Sequence, residues 1–469
     1  MKVLLVNPPI DNMITTNIPT YVDEERGYNP PLGIMYVAAY AEQHTNHKIE
    51  ILDVLAEEIG YKELENEIKK RKPDVVGITA MTFTLIDVMI IAKIIKSVDK
   101  DIKIVLGGPH VNIYPEETIS LPEVDFLVLG EGEIIFTELM ENIVDYNALK
   151  NIKGIVFKHN GKIINTGTRE LIENLDSLPF PARHLTKINL YSSLLAKRSP
   201  VTTMMTSRGC PYKCLFCDRP HLGKRFRAHS AKYVVDEMEE CINMGIHEFL
   251  LYDDTSTIDR QRIIDICNLI IERDLDVGWD IRARVDTVNQ EMLKSLKKAG
   301  CERIHYGVES ANPEILKILR KGITLEQVEK VFKMTKKVGI DILAYFMIGS
   351  PTETRVQIMN TINYAKKLQP DYCHFSITTP FPATPLYYIG LEKGVIKKDY
   401  WREFASNPTK DFVPEFWEEI LSKEELLELL EYAYKSFYTR PSYVIKKMLK
   451  VKSLGEFTRK AKAGLRLLK

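Results

Sequence analysis

Cysteine is scarce in this chain: seven among 469 residues, with none before Cys210. So few in so long a chain exclude a disulfide framework and point to a reducing cytoplasm. Net charge is lacking as well, since 64 Lys and Arg face 64 Asp and Glu. A chain-wide electrostatic hold on nucleic acid is thereby excluded, and no nucleic-acid partner is expected. Long apolar runs are also missing. The most apolar stretch, 78–95, carries Asp87 and Lys93 and is no membrane span. No secretory signal is read at the start, where Met1-Lys2 leads directly into a short apolar run. Internal repeats of solenoid period are absent. What is present is the composition of a globular protein, 45% hydrophobic and 27% charged, at a length that predicts two to four domains.

Over residues 1–150, short apolar runs alternate with helical patterns, the signature of βαβ units and a parallel sheet. The runs are 3–6, 49–52, 75–78, 102–106 and 126–129. Glycines mark their ends, most clearly in Gly107-Gly108-Pro109-His110 and Gly130-Glu131-Gly132-Glu133. In open α/β sheets such ends let a ligand approach the backbone, although each motif alone is equally a tight turn. Residues 151–200 predict a hairpin at Asn160-Gly161 and a linker with Pro179, Pro181 and Pro200. A second βα series fills 201–390, with strands at 202–206, 248–252, 278–282, 303–308, 341–347 and 372–377. Six such strands predict a partial (β/α)6 barrel with its functional groups at the strands' carboxyl ends. Residues 391–469 predict a helical region with an acidic helix at 423–432 and a basic tail.

The most informative stretch runs from Ser207 to Arg219. Cys210, Cys214 and Cys217 stand there at spacing C-x3-C-x2-C on a loop with neighbouring cations. Three such thiols can converge on one soft metal centre. Zinc would want a fourth ligand, for which only His221 is near, and unrelated buried cysteines are the plainer alternative. Cys241, Cys267, Cys301 and Cys373 fall in or beside apolar runs and are expected in the core.

This motif, after the first strand of a partial barrel, resembles that of the radical S-adenosylmethionine (SAM) enzymes. The resemblance implies that Cys210, Cys214 and Cys217 hold a 4Fe-4S cluster whose open iron binds SAM, and that a low-potential electron donor reduces it. It implies that Phe216 flanks the adenine, and that Gly307, Glu309 and Ser310 lie against the ribose and methionyl groups. Gly349 would let the backbone pass close to adenine; Arg282 and Arg284 would partner the SAM carboxylate. The plainer alternatives are a surface Glu309 and solvated arginines. Ser350 and Thr352 depart from the family's usual Leu-Pro-Gly-Glu-Thr turn.

The amino-terminal motifs, in their order, resemble the cobalamin-binding domain that precedes the barrel in one subgroup, which includes cobalamin-dependent C-methyltransferases and the anaerobic magnesium-protoporphyrin monomethyl ester cyclase. The implied fold is a Rossmann-like, doubly wound parallel-sheet domain, then the radical SAM barrel, then a helical region. The implied cobalamin contacts are Asn7, Pro8, Pro9, Gly33, Thr79, Met81, Thr82, Gly107, Gly108, His110, Gly130, Glu131, Gly132 and Glu133. Asp-x-His-x-x-Gly, which supplies a lower cobalt ligand in other cobalamin domains, is absent. His110 is expected to be a turn histidine at the corrin edge or in solvent rather than that ligand.

The resemblance implies a C-methyltransferase that acts on an unactivated carbon through a 5′-deoxyadenosyl radical and methylcobalamin. Its alternative is a cyclase or carbon–carbon coupling enzyme acting on a tetrapyrrole or lipid. A non-catalytic corrinoid or iron–sulfur protein is disfavoured by the three-ligand cluster. The substrate is a small molecule, lipid or peptide. The aromatic segment 400–417 is expected to pack on the barrel or to cover an apolar substrate. Residues 440–469 hold ten Lys or Arg and one acid, with Leu454, Phe457, Ala461, Leu465 and Leu468 at helical spacing. That pattern suits peripheral contact with an anionic membrane, or a solvated terminal helix.

Overall fold

A computed structural model describes residues 1–15, 27–218 and 222–449. The His221 alternative and the tail positions from Leu454 onward lie outside these described residues. The amino-terminal sheet has seven strands in the order β2-β1-β3-β4-β5-β6-β7. β1 (Lys2–Asn7), β2 (Lys48–Asp53), β3 (Val75–Thr79), β4 (Lys103–Gly107) and β5 (Phe126–Val128) run parallel. β6 (Ile155–His159) and β7 (Lys162–Asn165), the hairpin around Asn160-Gly161, extend the same sheet antiparallel. The unbroken apolar run of β1 has a simple cause. Leu4 and Val6 enter the core on one face of the sheet, Val3 and Leu5 the core on the other, so all four are buried.

The second sheet places β8 (Val201–Met204), β11 (Glu248–Leu251), β12 (Gly278–Ala283), β13 (Cys301–Glu309), β14 (Asp341–Ile348) and β15 (Tyr372–Ile377) side by side in chain order, all parallel. This is the predicted six-stranded partial barrel. Its crossover helices include Ala231–Asn243, Arg260–Glu272 and Leu325–Val338. Thr324 and Gln327 close a capping box at the start of the last of these, which fixes where it begins. Ile304, Tyr306 and Val308 of β13 join the helix-side core; the alternate residues His305 and Gly307 turn to the opposite face. Cys241, Cys267, Cys301 and Cys373 are buried in that core, as expected.

The acidic helix runs Lys423–Tyr438, longer than its charge pattern indicated, because Ala433, Tyr434 and Phe437 continue its buried face onto β15. The aromatic segment meets its expectation only in part. Tyr400, Trp401 and Phe404 enter the core beneath the amino-terminal sheet, beside Phe83, and Trp401 donates to the Pro380 carbonyl at 3.0 Å. Phe416 joins the barrel core, and Trp417 clusters with Leu215 and Leu386. The chain leaving β15 crosses to the first sheet, where Tyr400, Trp401 and Phe404 pack, and returns to the barrel side at Phe416 and Trp417. Among the described residues no helix is long and apolar enough to cross a membrane.

Candidate active site

The cysteine loop leaves the barrel just after β8. Its base is pinched by β9 (Ser207–Arg208) and β10 (Arg227–Ala228), which pair antiparallel. Asp253, beyond the end of β11, accepts the amides of Thr206 and Ser207 at 2.6 and 2.9 Å and so fixes the loop's entry. Gly209 has φ +80°, and a Cβ there would lie 2.3 Å from the Arg225 carbonyl oxygen, so only glycine fits. Leu215 donates to Leu319 and accepts from Leu386, both at 2.9 Å, which ties the loop to the barrel.

Cys210 and Cys214 are half-buried and Cys217 is exposed; none is in a disulfide. The Cys210 sulfur lies 4.0 Å from Thr255 Oγ1, and Cys217 donates its amide to the Cys214 carbonyl at 3.3 Å. Arg284 reaches to 3.9 Å of the Cys214 sulfur. Burial pushes the Cys214 thiol up, and the charges of Lys321 and Arg284 oppose that push. Among the described residues no three His, Cys, Asp or Glu side chains stand close enough to chelate one ion. A four-iron cluster spreads its thiolates over separate irons, so three soft thiols on one loop, flanked by two cations, still fit it.

The residues expected around SAM divide into two groups. Glu309, Arg284 and Phe216 gather at the cysteine loop. Glu309 is no surface carboxylate: it is 6% exposed and accepts from Lys321 at 2.7 Å. Gly307 makes room for that pair, because a Cβ there would sit 2.4 Å from Glu309 Oε1. Lys321 also stands 5.9 Å from the centre of the Phe216 ring. Arg284 is not solvated; it stacks on Tyr212, pairs with Asp286 and donates to the Lys321 carbonyl at 2.6 Å. The others are engaged elsewhere. Arg282 donates to the Leu251 carbonyl at 2.7 Å and lies over Tyr252. Ser310 is buried and accepts from Asn312 at 3.1 Å. A Cβ at Gly349 would stand 2.6 Å from Leu426 Cδ2.

In the amino-terminal sheet, the carboxyl ends of the strands border a cavity of about 210 Å³. Gly33, Thr79, Gly107, Gly108, Gly130, Glu131, Gly132 and Glu133 line it; so do Tyr36 and, from the barrel side, Met205, Arg208 and Leu222. A Cβ at Gly33 or Gly130 would meet no atom within 4 Å, and one at Gly107 would meet only the Val128 carbonyl oxygen at 4.0 Å. Gly33, Gly107 and Gly130 therefore front open space, whereas a Cβ at Gly108 would stand 2.9 Å from the Ala80 carbonyl oxygen and one at Gly132 3.2 Å from Val37. Of the residues that border it, Tyr36, Glu133 and Arg208 each keep one fully buried polar atom with no hydrogen-bond partner among the described residues. A slot in which these glycines leave the strand ends open to close approach fits part of an organic cofactor such as cobalamin.

Other expected cobalamin contacts do not line this cavity. Asn7 donates to Asp53 at 2.7 Å, Pro8 and Pro9 are buried, and Met81 stands 48% exposed at the end of β3. His110 is not in solvent. It is fully buried, with Nδ1 3.0 Å from Thr82 Oγ1, and burial lowers its pKa to about 3. It begins a short helix, Pro109–Ile113, whose ring packs toward Tyr114.

Sequence reasoning missed Lys321, Asp253 and the partners of the Gly130–Glu133 turn. Asp253 carried a signal, being a carboxylate directly beyond a strand end. Lys321 in Arg320-Lys321-Gly322 carried none. Arg208 donates to Glu131 at 2.8 Å and to Glu133 at 2.6 Å, and Arg227 donates to Glu131 at 2.8 Å, all within buried surroundings. Burial alone would push the Glu131 carboxyl up, but the two guanidinium groups outweigh it and hold the carboxyl below its usual range.

Residues 204–365 match the model of the Radical SAM superfamily, and residues 19–140 that of the B12 binding domain. An uncharacterized methyltransferase of Pyrococcus horikoshii is 38% identical over 95% of this chain and 94% of its own length. The anaerobic magnesium-protoporphyrin IX monomethyl ester cyclase of Rubrivivax gelatinosus is 28% identical over 95% of this chain and 78% of its own. In fold, the chain superposes with a TM-score of 0.73 on the radical SAM methyltransferase TsrM of Kitasatospora setae, a structure with cobalamin and a [4Fe-4S] cluster bound. That match, at 19% identity, covers 94% of this chain and 89% of TsrM. A 4Fe-4S cluster, SAM and cobalamin are accordingly its cofactors. With its cysteine loop on a six-stranded partial barrel and its glycine-fronted sheet ahead of it, the chain belongs to the radical SAM superfamily, in the branch that carries an amino-terminal B12 binding domain.

Proposed function

We propose that this enzyme is a cobalamin-dependent C-methyltransferase that acts on an unactivated carbon of a small-molecule substrate. One observation carries the reading: the cavity of the amino-terminal sheet and the cysteine loop share a wall, formed by Met205, Arg208 and Leu222. When bound, the cluster and SAM supply a radical that abstracts hydrogen, and cobalamin supplies the methyl group that replaces it. The residues of the chain confine that chemistry. We assign Cys210, Cys214 and Cys217 to the cluster and Glu309, Lys321, Arg284 and Phe216 to the rim where SAM lies. The buried Glu309–Lys321 pair presents fixed charges there. The glycine turns at 107–108 and 130–132 hold the cobalamin side, with 1–150 and 201–390 as the two working units. A low-potential electron donor, a cytoplasmic location and contact of the basic tail with an anionic membrane complete the reading.

Similarity to the Rubrivivax cyclase favours a second reading, cyclisation or coupling without methyl transfer. Product analysis separates the two. A methylase uses one SAM as methyl donor and one as radical source, so S-adenosylhomocysteine and 5′-deoxyadenosine accumulate near one to one when substrate is present. Substrate-dependent 5′-deoxyadenosine without S-adenosylhomocysteine, with cobalamin loaded, selects the cyclase. The tail's role is read by co-sedimentation with anionic vesicles: deleting 453–469 should abolish binding, and undiminished binding refutes the contact.

A further inference from the structure

The two cations beside the cysteine loop are not equivalent. Lys321 Nζ pairs with Glu309 at 2.7 Å, and both side chains are 8% exposed, so their charges largely cancel beyond the pair. Arg284 is partnered differently. Its side chain is 6% exposed, whereas that of its partner Asp286 is 22% exposed. Water therefore screens the carboxylate more than the guanidinium, and a net positive field is left on the side away from Asp286.

The geometry gives that field a direction. Nε and Nη2 donate to the two Asp286 oxygens at 2.9 and 3.0 Å, and Nη2 donates again to the Lys321 carbonyl at 2.6 Å. Nη1, which takes no part in that fork, stands 3.9 Å from Cys214 Sγ. The guanidinium also lies over the Tyr212 ring, 3.8 Å from its centre, and Tyr212 is itself part of the cysteine loop. Carboxylate, carbonyl and ring together fix the cation beside the sulfur. The donor count limits what else Arg284 can hold. Of its five N–H groups, three are spent on Asp286 and Lys321 and a fourth is directed to Cys214. Each edge on which two parallel bonds could grip a carboxylate already carries partners.

We propose that Arg284 is a positioning residue for the cluster rather than a partner of the SAM carboxylate, and that its fixed charge beside the Cys214 thiolate raises the reduction potential of the cluster. The inference rests on the assignment of Cys214 to the cluster and deepens it. Reduction adds one electron, supplied by the low-potential donor, to a cluster and thiolates that are already anionic. A cation held at one thiolate stabilises the reduced form more than the oxidised one. No bond forms or breaks in this step.

Reductive titration of the anaerobic, cluster-reconstituted full chain, read by the electron paramagnetic resonance of the reduced cluster, tests this without SAM or substrate. Iron and sulfide contents are matched between proteins first. Arg284→Gln should lower the ratio of reduced to oxidised cluster at a fixed potential about tenfold, the worth of one bond to a charged group, which is about 59 mV for a one-electron couple. Because that change strands Asp286, the neutral double variant Arg284→Gln/Asp286→Asn is titrated as well and should shift the same way. An unchanged midpoint in both would overturn the proposal. Arg284→Lys keeps the charge without the fork and should recover part of the shift; an equal fall in the Lys and Gln variants would assign the effect to packing and overturn the charge argument. SAM binding to the oxidised cluster, measured by calorimetry, should be retained in the double variant, and its loss would restore the carboxylate contact. Cluster retained in Cys214→Ala would remove the premise and the inference with it, whereas a Cys214-dependent cluster whose midpoint ignores Arg284 refutes the inference alone. The outcome of the product assay bears on neither.

Discussion

Gly349 separates two explanations of one residue. The family resemblance sets its backbone against adenine; in the structure the space a side chain would take there is filled by Leu426. Its φ is +72°, and a Cβ would stand 2.6 Å from Leu426 Cδ2 and 3.3 Å from Cδ1. Leu426 is wholly buried in the barrel core and cannot swing aside cheaply. Gly349→Ala should therefore cost about 1–2 kcal/mol for the left-handed backbone and about 1–3 kcal/mol more for overpacking. Leu426→Ala alone should cost about 2–5 kcal/mol as a cavity. In the double variant the new methyl finds space, so the overpacking cost disappears and the sum of the singles should exceed the double by about 1–3 kcal/mol. Denaturant unfolding of the four proteins, followed by far-UV circular dichroism, measures that coupling, with SAM binding by calorimetry alongside. Additivity within about 0.5 kcal/mol, with SAM affinity lost in Gly349→Ala, would refute the packing argument and restore adenine as the reason for the glycine.

Three further outcomes are expected. Cys210, Cys214 and Cys217 changed singly to Ala should abolish iron–sulfur absorbance and SAM cleavage, whereas Ala at Cys241, Cys267, Cys301 or Cys373 should leave the cluster in place; full cluster content in Cys214→Ala would contradict the assignment. Burial pushes the Glu353 carboxyl up to about 7, against the opposing Ser350 and Gly349 amides, so the folded chain holds a proton that the unfolded chain releases near pH 4.5. Stability should fall as pH rises through that window, by about 3–4 kcal/mol at about 1.4 kcal/mol per unit; Glu353→Gln should flatten the slope between pH 5 and 8, and an unchanged slope would contradict the burial. His110, held neutral by burial with its pKa lowered to about 3, works in the opposite sense. The unfolded histidine takes up a proton below about pH 6.5, so stability is intact above that pH and declines towards pH 3, and His110→Gln should lessen the acid loss seen in urea midpoints at pH 7.5 and 4.5.

Most of the architecture was legible because strand cores announce themselves. The run at 3–6 is apolar at every position since β1 is covered on both faces, and β13 alternates because one of its faces turns away from the helices. The cysteine spacing was equally plain, being a local pattern on one loop. Long-range electrostatics were not legible. Arg208 and Arg227 lie 77 and 96 residues from Glu131, and nothing in the sequence distinguishes them from other arginines. Lys321 sits in a turn between Arg320 and Gly322, where a lysine is ordinarily solvated; only the fold reveals that it is 7% exposed against Glu309. The aromatic segment was half legible for a related reason: its composition marks buried surface but not the partner, which is the amino-terminal unit for Tyr400, Trp401 and Phe404 and the barrel core for Phe416.

The distribution of buried charge bears on how the two units work together. A buried ion pair contributes little net stability over an apolar substitute, yet breaking one leaves an uncompensated charge and costs several kcal/mol. A chain that needed only adhesion between its sheets could use rings such as Tyr400 and Trp401, which already bridge them. Instead Glu131, Glu133, Arg208 and Arg227 stand at the place where the cavity meets the base of the cysteine loop. Directional bonds fix orientation where apolar contact fixes only proximity. Radical chemistry between two cofactors demands orientation, since a substrate carbon must face the radical source and the methyl donor in turn without access to water. The ionic clasp sits where that alignment is set, and the aromatic contact, further along the interface, holds the two units together.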